Sequence, residues 1–283
     1  MAVYNSLKKV VLLMCLLALC WMPMNAQGAF VRGDVNGDGV AGMDDLSQMI
    51  NYLLTGTWSD MSLTFTVNGV SFKMIPVEGG SFTMGHGETQ SSWDDQTPAH
   101  QVSLSTFCIA ETEVTQELWQ AVMGNNPSLF KGDLNRPVER VSWNDCKTFI
   151  NTLNELTGKH FRFPTEAEWE FAARGGNKSQ GYTYAGSDNP DEVAWFDCDI
   201  THAVKTKLPN ELGLYDMSGN VCEWVWDWYG TYTVEDIINP SGQVSGTQRV
   251  IRGACWYYSG TLSGRDSYDP TNKHNAIGLR LAL

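Results

Sequence analysis

The stretch "NELGLYDMSGNVCEWVWDWY", residues 210–229, changes character halfway along. Its first half is irregular and rich in glycine. Asp216 and Glu223 place carboxylates where backbone carbonyls can also turn toward a cation, which suits a hard ion such as calcium. In its second half Trp224, Trp226 and Trp228 alternate. Aromatics at period two predict a strand whose face is buried in the core, more readily than a ligand platform.

Working outward, three helices precede this stretch. One spans about 115–123 and stops at Gly124. The next opens at Ser142 with Asp145 three residues on, carries Cys146, Phe149, Ile150 and Leu153 on one face, and stops near Gly158. The third opens at Thr165 with Glu168 three residues on, a capping box, and stops at Gly175 behind Arg174. Upstream, "LTFTVNGVSFKMIPVEGGSFTMG" (63–85) alternates apolar and polar residues around Asn68-Gly69 and Gly79-Gly80, a hairpin-like signature. Beyond residue 176 regular periodicity fades. Long loops are expected there, with short strands near 250–252 and 278–281.

The N-terminus reads as export followed by a calcium loop. Lys8 and Lys9 precede the apolar run 10–21, and Ala26 offers a small residue for cleavage, so residues 1–26 form a secretory signal. A lipoprotein signal ending at Cys20 is the rival reading, with the bulky Leu19 against it. The protein is therefore expected to be periplasmic, cell-surface or secreted, with no later transmembrane segment. In 27–57, Asp34, Asn36 and Asp38 alternate, Gly39 follows, Val40 offers a carbonyl and Asp45 closes a twelve-residue loop. Leu46, Met49, Ile50, Leu53 and Leu54 then share one helix face. Such a loop–helix cannot bury its own apolar face alone. Residues 58–62 form a linker to the domain 63–283.

The chain has 19 basic and 32 acidic residues, a net charge of −13. Lys8 and Lys9 leave with the signal, so the mature chain is more acidic still. That balance excludes nucleic acid as a partner and favours divalent cations. Five cysteines remain after cleavage, Cys108, Cys146, Cys198, Cys222 and Cys255, with no C-x-x-C pair to make a zinc site. An odd number leaves at least one thiol free. His86, His100, His160, His202 and His274 show no H-x-x-x-H spacing, and neither a G-x-S-x-G elbow nor a phosphate loop occurs.

Seven motifs carry a resemblance. "PVEGGSFTMG", "TEVTQELWQAVMG", "PVERVSWNDC", "FRFPTEAEWEFAARGG", the opening stretch, "RVIRGACW" and "GLRLAL" occur in the order typical of the sulfatase-modifying factor family, that of the formylglycine-generating enzymes. The likeness covers about 63–283. It implies an α+β domain of compact C-type-lectin-like fold, low in regular structure and stabilised by calcium. It further implies that Asp216 and Glu223 ligate calcium by side chain, and Gly219 and Val221 by carbonyl. A second calcium site of some members, expected near 193–205, lacks its full ligand set here. The loop 34–45 resembles one repeat of a type I dockerin, whose partners are cohesins. One repeat is present where that family pairs two.

The family oxidase holds copper(I) between two thiolates, and soft sulfur suits that ion. Those cysteines follow the family's GGS turn by three and eight residues. Counted from "GAC" (253–255), the positions here are Tyr258 and Ser263, hard and poorly ionised donors. Copper is therefore not expected. Cys255 matches the serine of that turn, and a buried or disulfide-bonded role is expected for it, with Cys222 one candidate partner. The reading that follows is a calcium-stabilised non-oxidase binding a peptide, protein or glycan in a pocket built from Trp256, Tyr257, Tyr258 and Arg265. The alternatives are a formylglycine-generating oxidase with displaced copper ligands and an accessory protein acting on polysaccharide.

Overall fold

Asn68 and Gly69 both take positive φ, 46° and 86°, and fold the chain back between β1 (Leu63–Val67) and β2 (Val70–Val77). The computed structural model describes residues 63–87 and 94–283, within the second of the chain's two units, 62–283. The expected signal, the calcium loop of Asp34, Asn36, Asp38, Val40 and Asp45, and the linker lie outside the described residues.

The second turn expected at Gly79-Gly80 makes no hairpin. β3 (Gly80–Met84) leaves β2 and pairs with β4 (His100–Leu104), while β5 (Phe107–Ala110) takes the free edge of β2. Gly79 is needed for a different reason. A Cβ there would lie 2.5 Å from the Leu104 carbonyl oxygen, so only glycine lets the two backbones pass.

The three helices start where their caps predict. Thr115 caps α1 (Gln116–Met123), and Gly124 at φ 72° ends it. Ser142 and Asp145 cap each other's backbone at the head of α2 (Trp143–Thr157), and Gly158 at φ 69° ends it. Thr165 and Glu168 do the same for α3 (Glu166–Ala173). A short α4 (Pro190–Val193) follows. The buried face of α2 is the expected Cys146, Phe149, Ile150 and Leu153, together with Trp143.

β6 (Cys222–Trp228) is the centre of the C-terminal half. The four-stranded sheet runs β10-β6-β8-β9, with β8 (Arg249–Arg252) and β9 (Arg265–Tyr268) antiparallel and β10 (Ile277–Leu279) parallel to β6. The two-residue β7 (Ile237–Ile238) completes the β3-β4 sheet. The tryptophan alternation is only partly a core face. Trp224 is fully buried, whereas Trp226 is 38% exposed. The β6–β8 register shifts between Trp224 and Trp228, and that irregularity turns Trp226 outward beneath Lys147 and Arg249.

Helix α3 has no solvent-facing side over most of its length. Its Glu166 and Glu170 are buried with the apolar residues around them. Glu166 holds Arg265 with two bonds of 2.7 Å, and Glu170 pairs with Arg252 and Arg174. A third buried pair joins Glu223 of β6 to Arg280. A buried ion pair contributes little net stability, but removing one partner strands the other charge. Glu170→Ala, which also takes the acceptor from the Gly85 N–H, is therefore expected to cost about 3–5 kcal/mol by urea unfolding.

Asp227 joins β6 to the start of α3 by accepting the Glu166 N–H at 2.8 Å. Burial, and then the Glu166 charge, push its carboxyl up to about 8. A group that holds its proton more tightly folded than unfolded gives its full contribution below the ordinary carboxylate range. That contribution is lost as pH rises toward 8. Asp227→Asn keeps the acceptor and removes the charge. The margin by which its unfolding free energy exceeds the parent's should be smallest near pH 3 and widen as pH rises toward 8.5, by on the order of 1 kcal/mol or more.

Candidate functional site

After β8 the chain bends through Gly253 at φ 98° and Ala254 at φ 57°. A Cβ at residue 253 would lie 3.1 Å from the Trp169 ring, so glycine is required for both the bend and the approach. A tight turn follows, closed by Cys255 N–H to the Tyr258 carbonyl (3.3 Å) and Tyr258 N–H to the Cys255 carbonyl (3.2 Å). The chain then loops back to β9. Arg252 holds this return by donating to the carbonyls of Leu262, Ser263 and Gly264.

This loop walls a cavity of about 1000 Å³. Tyr257, Tyr258, Ser263, Arg265 and Asp266 face it from the loop and β9, and His86, Gln96, Arg174 and Tyr182 from elsewhere. The Ser263 hydroxyl donates to Gln96 Oε1 at 2.9 Å. The Tyr258 hydroxyl lies 2.9 Å from Cys222 Sγ, and burial drives its pKa far above the ordinary phenol value. Tyr257 is 46% exposed, and its hydroxyl is pushed up to about 12, first by desolvation. Both phenols stay protonated at neutral pH. The cationic walls are already neutralised, Arg174 by Glu170 and Arg265 by Glu166. Asp266 has no ion-pair partner among the described residues.

Tyr257, Tyr258 and Arg265 are thus brought together, with Ser263 beside them. Trp256 is not in the lining. The turn directs its indole against Phe130 at 5.4 Å, with Nε1 donating to the Asn275 carbonyl. Cys255 is fully buried and a free thiol, as is Cys222. The distant contributors His86, Gln96 and Tyr182 carried no sequence signal toward this cavity, and Arg174 read only as the end of a helix.

The expected cation ligands lie in the irregular segment before β6 and at its start. Asp216 takes φ 57°, and its Oδ2 accepts the Lys205 N–H at 2.8 Å. Its Oδ1 is buried without a partner, and so is Oε1 of the neighbouring Glu113. Burial raises Asp216 to about 6 and Glu113 well above its ordinary value, with Asp216 the largest charge acting on Glu113. Two unsatisfied hard oxygens of this kind fit a calcium-like ion. Glu223 is held by protein partners. Both of its oxygens accept from Arg280, and Oε2 also accepts from Trp169 Nε1 at 2.6 Å. No group of three or more His, Cys, Asp or Glu side chains arranged to hold a metal occurs among the described residues.

The chain is similar to the chaperone protein LppX of Paenibacillus barcinonensis, 36% identical and covering 74% of this chain and 87% of LppX. It is 29% identical to the formylglycine-generating enzyme of Streptomyces coelicolor over 74% of this chain and 88% of that one. Among solved structures, Treponema denticola variable protein 1 superposes with a TM-score of 0.73 at 33% identity, covering 79% of this chain and 99% of that one. The model of the sulfatase-modifying factor enzyme 1-like domain matches residues 65–283, and the chain belongs to that family.

Proposed function

We propose that this protein is an exported, calcium-stabilised, non-oxidising member of its family that binds a peptide or glycan in the cavity beneath residues 254–266. The observation that carries the reading is the chemistry at the two family thiolate positions. Tyr258 and Ser263 line the cavity there, and neither can hold copper(I) as paired sulfur does. What the cavity offers is the makings of a recognition surface: tyrosine faces, hydroxyls and neutralised arginines. A relative named as a chaperone favours a polypeptide over a glycan. Asp266 beside the tyrosines suits a basic side chain, since a cation gains from both the carboxylate and a ring face.

Purified protein screened against peptide and glycan libraries should bind members of one class. Tyr257→Ala should weaken that binding about ten-fold or more, with the fold unchanged. No binding above background would end the proposal. Copper(I), oxygen and a Cys-x-Pro-x-Arg peptide should yield no change from thiol to aldehyde by mass. Conversion would establish the oxidase alternative.

Calcium belongs to the same proposal. Asp216, Glu113 and the carbonyls of Gly219 and Val221 would hold one ion, supplying structural charge neutralisation and no chemistry at the cavity. A second ion would sit in the dockerin-like loop of Asp34, Asn36, Asp38, Val40 and Asp45, which also suits a cohesin-like extracellular partner. Calorimetric titration of the metal-free chain should give two calcium sites, and Asp216→Ala should leave one. An unchanged stoichiometry in that variant would remove Asp216 from the set.

A further inference from the structure

We propose that Cys222 and Cys255 are a redox pair beneath the cavity floor, closing to a disulfide in exchange with a small-molecule disulfide or a disulfide-donating oxidoreductase. The pairing of Glu223 with Arg252 sets the start of β6 beside the Gly253–Ala254 bend, and that bend delivers Cys255 next to Cys222. Both thiols are buried in the same apolar cluster and both are unoxidised. The Cys222 thiol lies 2.9 Å from the Tyr258 hydroxyl, and Tyr258 is bridged to Cys255 across the turn. The turn thus brings both thiols and the Tyr258 hydroxyl together beneath the cavity, with the Asp266 carboxylate in the lining above.

The order of reaction follows from position. Cys255 sits on a surface turn whose own closure is two backbone bonds of 3.2 and 3.3 Å, tied to the rest of the domain through Trp256. Cys222 instead lies within a sheet strand, so local opening of the turn exposes Cys255 first. Its thiolate attacks one sulfur of the incoming disulfide and releases one thiolate of that reagent. Cys222, once deprotonated, attacks the Cys255 sulfur and releases the other. The two protein thiols lose two protons and two electrons, and the reagent is reduced to two thiols. Cys222 is the resolving residue because it is buried within β6, held there by its pairing with β10, and is reached only after the turn opens. The bridge staples the turn to β6 and takes from Tyr258 its thiol partner. It does not depend on which ligand the cavity takes.

The test uses the full chain under native conditions with oxidised glutathione, followed by thiol counting after denaturation and non-reducing peptide mapping. The expected result is the loss of two thiols and of two hydrogens in mass. A Cys222 peptide should be joined to a Cys255 peptide, and dithiothreitol should reverse the change. Cys222→Ala should instead trap a glutathione adduct on Cys255, and Cys255→Ser should give neither link nor adduct at Cys222. An unchanged thiol count, a bridge mapped between other cysteines, or a lasting adduct on Cys255 of the parent protein would each overturn the proposal. Near-ultraviolet circular dichroism of both variants separates loss of the pair from loss of the fold.

Discussion

Two carboxylates on one short helix organise the C-terminal half of this domain. Glu166 and Glu170 are buried on α3, and each holds a buried arginine from a neighbouring strand, Arg265 from β9 and Arg252 from β8. Buried ions must be matched by fixed partners, so the helix cannot shift against the sheet without exposing an unpaired charge. Apolar packing around Trp169 and Phe171 fills the space, but it is non-directional. The directional ion pairs fix which strand lies where.

That constraint reaches the cavity through Arg252. Its guanidinium is shared between Glu170 and three loop carbonyls, so one side chain links the helix to the loop's return. A second buried arginine follows a similar plan. Arg280 engages Glu223 and the carbonyls of Ala110 and Tyr215, close to the unsatisfied oxygens of Asp216 and Glu113. Membership of the family and possession of its fold therefore leave the chemistry open. Fold rests on the arginine–carboxylate frame, whereas oxidation in the family rests on two sulfurs outside it.

The helices were legible because their signals are local. Thr115, Ser142 and Thr165 each cap the residue three positions on, and Gly124 and Gly158 terminate by taking left-handed φ. What failed to show in the sequence depends on partners far along the chain. Gly79 looked like a turn residue and is instead a crossing point beside Leu104, and Trp226 looked buried until the β6–β8 irregularity turned it out. The cavity was half legible. Tyr257, Tyr258 and Arg265 belong to one contiguous segment, whereas His86, Gln96, Arg174 and Tyr182 arrive through tertiary folding alone. Glu113 and Arg280 as neighbours of Asp216 and Glu223 were invisible for the same reason.

The loop over the cavity is anchored by its main chain. Arg252 grips carbonyls of residues 262–264, and the 255–258 turn closes carbonyl to amide, so neither fastening consults the identity of the side chains it holds. Positions such as Tyr257, Ser259 and Thr261 can therefore be exchanged with small penalty to the architecture. The domain separates a backbone-fastened chassis from a rewritable face, and the face can be retargeted without re-engineering the chassis.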